Sequence, residues 1–446
     1  MQTSAEILTD ATVGWTAAPP QAGAALKDGL TLSFEAASLH RTANTAGMVG
    51  MVGMAGIEVM LRVIPGPQLQ ARLPESMDLL VPLAISKAKL AGAVAECQGE
   101  WWREVVERHS LLRHYPYHEK SFRPVSDSVF NSEVLPRLAK AGSGLFAAIF
   151  RPGEPRFRAT KALGGVLRDL LLQERDLRIL VRSDDFFAPW NFMYVGDWKL
   201  PKVEHFLGFR HLVEHDAEAA LAFDPVMPSF SELAFHFNED IDLNPKTGAH
   251  AAGQKFLALL QQFGIARHQR NDKQTFLAAL EKEADESVFY FLCHGTAGDD
   301  LRPNSDATRL FLTQPQGGGP EAISPSDLLL AFDNRGPLRG QPLVFINACR
   351  ALKSGSIYFD GFASHFLNND ARCVLGPEIE MPVVFARDFA QRFFEEFFRA
   401  GPLKSVGQVL LDLRRDFFAQ GLNPLGLAYS LYRGSDVYLS AVPIPR

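Results

Sequence analysis

The chain has 446 residues, of which 47% are hydrophobic and 22% are charged, and its formal net charge at pH 7 is −6. This length predicts two or three domains, and the composition is ordinary for a globular protein. The negative balance argues against a direct nucleic-acid partner, because such proteins usually carry a basic face. Four scattered cysteines without a CxxC pair argue against a disulfide framework and a structural zinc site.

The first 64 residues predict neither a signal peptide nor a membrane span. Residues 1–10 lack a basic start and an apolar core. The most membrane-like stretch, 46–64, contains four glycines together with Glu58 and Arg62, and has no run of about 20 apolar residues. We interpret it as a glycine-broken strand pair, expect no direct contact with a membrane, and expect a reducing, cytoplasmic location.

The first half of the chain predicts a flexible arm and an accessory region of mixed α+β structure. The arm, residues 1–25, is rich in Ala, Pro, Gly and Thr, and the accessory region covers 26–228. Strands are predicted over 30–36 and 57–63, and helices over 78–109 and 135–150. Because the last helix contains Gly142 and Gly144, a break is expected there.

From residue 229 to residue 446, short apolar runs alternate with amphipathic helices. A helix is expected from a Thr247 cap to Gly264. The runs over 288–292, 343–346 and 371–376 are continuously apolar, which is typical of a parallel sheet covered by helices on both faces. Five phenylalanines between positions 389 and 398 form one helical stripe and are expected to pack in the core. The pattern predicts an α/β fold with a mostly parallel sheet sandwiched by helices.

A histidine and a cysteine follow two of these apolar runs. In open α/β sheets the functional crevice lies at the carboxyl ends of the strands. The spacing of His294 and Cys349 leaves room for a loop, a helix and a return strand, so adjacent parallel strands would present both side chains at one edge. A nearby imidazolium lowers the pKa of a thiol, and the thiolate is the nucleophilic form. The N–H groups of Gly295 and Cys349 are candidates for an oxyanion hole.

These residues stand in strings that resemble a known family. YFLCHG at 290–295 and VFINAC at 344–349 are similar to the CHAT family, bacterial caspase-like cysteine peptidases related to separase. The resemblance covers residues 145–446, through 178–195, 371–415 and 423–434. It implies a caspase-like catalytic domain over 229–446, and it allows the accessory region to be a degenerate caspase-like half.

The resemblance also implies a function. Cys349 takes the role of nucleophile, His294 that of general acid and base, and Gly295 that of the oxyanion-hole glycine, with no cofactor and no metal. It suggests an endopeptidase with a dedicated protein substrate, such as a pore-former, in a bacterial defence or programmed-death pathway. The glycine-rich loop 297–320 is expected to keep the enzyme latent until a protein activator binds. The alternative is a regulatory interaction module with a caspase-like fold and an idle dyad.

Four acidic residues are candidates for substrate binding. Glu378 and Glu380 follow the strand after the nucleophile strand, and both carboxylates point the same way if this segment is extended. Asp299 and Asp300 add negative charge just past the histidine. Carboxylates in a partly desolvated pocket favour a basic side chain before the cleaved bond. The alternative left open is solvated surface acids and a preference for small or aliphatic side chains.

Two other groups of residues are interpreted as having no functional role. His211 and His215 have the spacing of a metal pair on a helix, but the sequence nearby supplies no further ligands, so no metal site is predicted. Cys293 precedes His294 in the strand and is expected to point to the opposite face as buried packing.

Overall fold

The computed structural model describes residues 27–36, 59–107, 126–151, 153–183, 187–216, 223–243, 251–282, 285–296, 309–313, 322–333, 338–348 and 361–441. The predicted arm, Thr247, Asp299, Asp300 and Cys349 lie outside these residues.

The strands within the described residues are β1 Lys27–Ala36, β2 Val59–Pro65, β3 Leu80–Pro82, β4 Leu177–Ser183, β5 Leu212–Asp216, β6 Val226–Met227, β7 Glu232–Phe237, β8 Ala266–Arg270, β9 Val288–Leu292, β10 His294–Thr296, β11 Arg309–Phe311, β12 Ala322–Ile323, β13 Leu343–Asn347, β14 Cys373–Pro377, β15 Tyr429–Tyr432 and β16 Tyr438–Leu439.

The α-helices are α1 Pro67–Gln70, α2 Lys87–Trp102, α3 Asp127–Val129, α4 Leu135–Phe150, α5 Arg158–Gln173, α6 Leu207–Arg210, α7 Asp240–Leu243, α8 Ala252–Gln262, α9 Lys273–Glu281, α10 Pro325–Asp333, α11 Phe362–Asn368, α12 Val383–Ala400 and α13 Val406–Gly421. Short π-helical and 3₁₀ turns cover Arg103–Glu107, Phe130–Val134, Pro155–Phe157, Trp190–Phe192, Val203–His205, Gly401–Leu403 and Pro424–Ala428. No helix in this part of the chain is long and apolar enough to cross a bilayer.

Eleven of the strands form one continuous sheet in the order β3-β2-β1-β4-β5-β15-β14-β13-β9-β7-β8. Neighbours are parallel except in the pairs β3–β2, β2–β1 and β15–β14. The prediction of an α/β fold with a mostly parallel sheet is therefore confirmed. We call β1–β5 the N-terminal half of the sheet, and β7, β8, β9, β13 and β14 the C-terminal half. Strand β15, near the end of the chain, joins the two halves.

The central strands of the C-terminal half, β9, β13 and β14, are covered by helices on both faces, whereas the edge strand β8 is exposed. In β9, Val288, Tyr290 and Leu292 pack in a core with residues of α8 and α12. Phe289 and Phe291 pack on the other face in a second core with residues of α9, α10 and α11. Because both faces are buried, the strand reads as the continuous apolar run that the sequence shows. The phenylalanine stripe of α12 is buried, as expected.

In the N-terminal half, strand β4 alternates instead, whereas its neighbour β5 is buried over its first four residues. In β4, Leu177, Ile179 and Val181 are buried, whereas Leu180 is only partly buried and Arg182 is exposed. On the polar face, the Arg178 Nε lies 2.9 Å from the Glu214 Oε2. This is the alternation of apolar and polar residues that is typical of a sheet with one buried face.

Helix α4 corrects one prediction of the sequence. The helix is continuous through Gly142 and Gly144, so the expected break is wrong. A Cβ on Gly142 would overlap the carbonyl oxygen of Phe192, whereas one on Gly144 would meet nothing within 4 Å. The first glycine therefore allows a neighbouring segment to approach the helix, and packing offsets its low helix propensity.

Helix α8 begins at Ala252 rather than near Thr247. Its preceding residue, Ala251, has φ 61°, in the left-handed region, so it cannot continue a helix toward the amino terminus. The helix ends before Gly264, close to the predicted position.

Candidate active site

The two strands that precede the candidate catalytic residues are neighbours. Strands β9 and β13 are parallel, and Leu292 pairs with Asn347. His294 and Cys349 each follow a member of this pair by two positions. The predicted adjacency of the two strands is therefore confirmed. The position of the Cys349 thiol lies outside the described residues and stays a prediction.

His294 and Cys293 occupy different environments at the exit of β9. Cys293 is only 4% exposed and packs in the second core with Phe291 and Ala348. His294 is exposed and opens strand β10, where it pairs with Phe311 of β11. Gly295 follows it and is partly buried. The histidine is thus accessible to a substrate, whereas the neighbouring thiol is enclosed by apolar side chains.

A small cleft opens at this edge of the sheet. Its walls come from α7, the ends of β9 and β13, and the beginning of α12. They are formed by Ile241, Leu292, Cys293, His294, Asn347, Ala348, Met381, Val383 and Ala386. The walls are almost entirely apolar, and the cleft is shallow, with a volume of about 20 Å³ that is enough for about one water molecule.

The end of β13 is held by a buried amide. Asn347 Nδ2 donates to the Ala386 carbonyl at 2.8 Å and to the Tyr290 hydroxyl oxygen at 3.3 Å. The Tyr429 hydroxyl donates to Asn347 Oδ1 at 2.8 Å. Burial raises the pKa of the Tyr290 phenol, so the phenol stays neutral. This network fixes the backbone just before Ala348, and its only signal in the sequence is a polar residue that closes an apolar run.

The two candidate glutamates have different surroundings. Glu378 is 1% exposed, and its carboxylate accepts a hydrogen bond from the Tyr432 hydroxyl at 2.8 Å. Gln98 Nε2 donates to the Glu378 carbonyl oxygen at 3.1 Å and approaches its Oε2 at 3.5 Å. Glu380 is only partly buried, and it directly precedes Met381 in the cleft wall. A role for either carboxylate in substrate preference stays a prediction.

The two histidines with the spacing of a metal pair, for which no metal site is predicted, lie in or next to β5 and not on a helix. His211 and His215 are both fully buried. Leu177 donates its backbone N–H to His211 Nδ1 at 3.4 Å, and the His215 ring stacks on Tyr432 with centroids 5.1 Å apart. Burial lowers the pKa of His211 to about 4 and that of His215 to about 3. The described residues contain no group of three or more metal-binding side chains.

The other described cysteines are enclosed as well. Cys97 and Cys373 are free and buried. Burial raises the pKa of both thiols, which disfavours the thiolate. Neither thiol has the surroundings of a nucleophile.

No known protein family matches the chain, and no curated protein matches it. Two crystal structures of the separase–securin complex of Saccharomyces cerevisiae align with the chain, with TM-scores of 0.35 and 0.36 and identities of 13% and 11%. The alignments cover 79% and 78% of this chain, and 23% of each matched chain. The chain thus spans about a quarter of the length of these structural neighbours. Functional conclusions therefore rest on the residues of the chain itself.

Proposed function

We propose that the protein is a caspase-like cysteine endopeptidase that cleaves a dedicated protein substrate through Cys349 and His294. One observation carries this proposal: the parallel pairing of β9 and β13, with Leu292 opposite Asn347. Neighbouring strands lie about 4.8 Å apart, and His294 and Cys349 come two positions after Leu292 and Asn347 in the sequence, so we expect their side chains to meet at this edge. An exposed imidazole and a cysteine at that edge are the parts of a thiol dyad.

The reaction would proceed through an acyl-enzyme. His294 accepts the thiol proton of Cys349, and the thiolate attacks the carbonyl carbon of the scissile bond. The N–H groups of Gly295 and Cys349 donate to the oxyanion that forms. His294 then protonates the leaving amine, and the C–N bond breaks. A water molecule, deprotonated by His294, hydrolyses the thioester and returns the thiol. No step needs a metal or a cofactor.

The wider setting that we propose follows from the motif resemblance. The chain would be a bacterial CHAT-family peptidase of the cytoplasm, latent until a protein activator binds, in a defence or programmed-death pathway. Its catalytic domain would cover 229–446. The accessory region 26–228 would be a degenerate caspase-like half, and its contribution of strands β1–β5 to the same sheet supports this assignment.

We also propose a preference for a basic side chain before the cleaved bond. Glu380 supports it best, because its partly buried position directly precedes the cleft residue Met381. A carboxylate that is partly shielded from water binds a guanidinium through two charge-assisted hydrogen bonds. Glu378, Asp299 and Asp300 would add to the negative potential of this edge.

A covalent probe tests the proposal directly. The full chain is treated with a peptidyl acyloxymethyl ketone that ends in arginine, and the labelled peptide is located by mass spectrometry. Modification of Cys349, absent from His294→Ala, is the expected result. Cys293→Ala, whose thiol is buried, is the matched control and should be labelled like the wild type.

Equal labelling of all cysteines, or none under native conditions even with cell lysate as a source of activator, would contradict the proposal. That outcome would favour the interaction module with an idle dyad, for which Cys349→Ala should bind its partners as the wild type does.

A further inference from the structure

A second site lies in the accessory region, away from the candidate dyad. Helices α2 and α4, Arg168 of α5 and the turn 194–198 enclose a cavity of about 860 Å³. This volume is within the range of about 300–1,000 Å³ that is typical of small-molecule sites. None of the residues of the candidate active-site cleft belongs to its walls.

Specific contacts hold the walls of this cavity in place. Small side chains on α4 leave the space open, among them Ala141, Ser143 and Gly144. The Tyr194 hydroxyl accepts a hydrogen bond from the Lys202 backbone N–H at 2.9 Å. Arg168 Nε donates to the carbonyl of Val195 at 2.7 Å. The start of this turn is therefore anchored both to α5 and to Lys202.

Two acidic side chains of the cavity walls form ion pairs with arginines, and among the described residues three further basic side chains remain outside such pairs. Glu104 pairs with Arg137 at 2.5 Å, and Glu100 pairs with Arg103. The Asp197 carboxylate accepts the backbone N–H of Lys199 at 3.0 Å.

Lys140, Arg151 and Arg168 form no ion pair with any described residue, and the wall carboxylates outside these ion pairs are the exposed Glu96 and Asp197. Three cations therefore stand against two carboxylates, a positive balance that favours an anionic ligand.

An exposed indole stands at the cavity wall beside these cations. Trp198 is 40% exposed, and the Lys140 and Lys199 ammonium nitrogens lie 5.8 and 5.9 Å from its ring centroid. An indole offers a flat apolar surface to a ring, and lysine and arginine bind phosphate oxygens through charge-assisted hydrogen bonds. We propose that this cavity binds a small aromatic phosphate of nucleotide size, with the phosphate at Lys140, Arg151 and Arg168.

One helix connects this cavity with the candidate active site. Cys97 of α2 lines the cavity, and the next residue, Gln98, donates to the Glu378 carbonyl at 3.1 Å. Met381, three positions after Glu378 in the chain, forms part of the wall of the candidate active-site cleft. A ligand that moves α2 would therefore move the segment between Glu378 and Met381. In this way the ligand controls the reactivity of Cys349, a consequence that rests on the proposed function.

Binding is tested on the full chain by isothermal titration calorimetry with metal-free ATP at fixed salt, and with adenosine and inorganic triphosphate as the two parts of the ligand. We expect saturable binding of ATP that is at least tenfold tighter than that of either part. Lys140→Gln and Trp198→Ala should each weaken it about tenfold, the loss expected for one charge-assisted or aromatic contact. Lys161→Gln, exposed on α5 and outside the cavity walls, is the matched control and should bind like the wild type.

No saturable binding of ATP up to millimolar concentration would overturn the proposal. Equal affinity for ATP and triphosphate would overturn the proposed contact between an aromatic ring of the ligand and Trp198. Unchanged affinity in Lys140→Gln and Trp198→Ala would place the ligand elsewhere, and would overturn it too.

The connection is tested by the rate at which the peptidyl ketone labels Cys349, with and without ATP. ATP should change the rate at least threefold in the wild type. Gln98→Met, which keeps the volume but loses the hydrogen bond, should bind ATP normally and lose this effect. An unchanged rate in the wild type would refute the connection. Absence of labelling in every sample, including samples with cell lysate as a source of activator, would refute the proposed peptidase instead, and the calorimetry would still decide whether the cavity is a ligand site.

Discussion

Strands β9 and β4, one from each half of the sheet, differ in how they are covered, and the difference separates two kinds of candidate site. All five residues of β9 are buried, whereas β4 alternates between buried and accessible residues. A strand packed on both faces can present polar chemistry only where it ends, and His294 stands at such an end. In the N-terminal half the polar chemistry lies between the helices instead, where the cavity is.

The largest effect on this comparison is expected when either residue of the candidate dyad is replaced. Cys349→Ala or His294→Ala should lower peptide cleavage at least about 1,000-fold, because in the proposed mechanism each supplies a group that takes part in bond making or proton transfer. Thermal unfolding should change little, since His294 is exposed. Cys293→Ala should keep most of the activity. A Cys293→Ala protein as inactive as Cys349→Ala would show that the nucleophile was wrongly assigned.

The difference in coverage can be measured with one residue type. Ile346 of β13 is fully buried, whereas Ile64 of β2 is 46% exposed. Ile346→Ala should lower the free energy of unfolding by about 2–5 kcal/mol through lost burial and a cavity, and Ile64→Ala by less than about 1 kcal/mol. Urea denaturation followed by circular dichroism gives both values. Equal losses would mean that the polar face of the N-terminal half is as tightly packed as the C-terminal half.

The two glycines of α4 provide a matched pair on the accessory side. Gly142→Ala should destabilise by about 1–3 kcal/mol, because its methyl group would overlap the Phe192 carbonyl. Gly144→Ala meets nothing within 4 Å and should stabilise by up to about 1 kcal/mol through helix propensity. Chemical denaturation of both variants tests this, and a stabilised Gly142→Ala would argue against the close approach.

The join between the halves should weaken in acid. The pKa of His211 is lowered to about 4 and that of His215 to about 3, so the folded state keeps both rings neutral while the unfolded state takes up protons below about pH 6.5. The free energy of unfolding should therefore fall as the pH decreases from about 6.5 to 4, by up to about 1.4 kcal/mol per pH unit for each ring.

His215→Phe, which keeps a ring against Tyr432, should make that fall less steep. An identical slope in wild type and His215→Phe would rule out His215 as a source of the acid sensitivity.

The smallest expected effect concerns substrate preference. Glu380→Gln should lower the ratio of arginine to leucine cleavage about threefold in a peptide library, because it removes a partly shielded charge beside the cleft. Glu378→Gln should change the ratio less, since that carboxylate is already bonded to Tyr432. If leucine or alanine outranks arginine and lysine in the wild type, and neither variant shifts the profile, the acidic pocket is refuted.

The sequence by itself determined the local features of this protein. Continuous apolar runs identified β9, β13 and β14 because a strand buried on both faces tolerates few polar residues. The polar residues that end two of these runs identified the candidate dyad. The pairing of β9 with β13 confirmed that the strands before these two residues are neighbours. Alternation likewise identified β1 and β2, since a half-buried strand repeats every two residues.

Only the tertiary structure decided what depends on contacts between distant parts of the chain. Strand β15 lies between β5 and β14, although it comes near the end of the sequence. Gly142 is required by a carbonyl fifty positions later, which no helix pattern reveals. Glu378 is buried because Gln98, 280 positions earlier, and Tyr432 reach it. Such contacts depend on how whole elements pack, and a local pattern of side chains contains no information about which distant element will arrive.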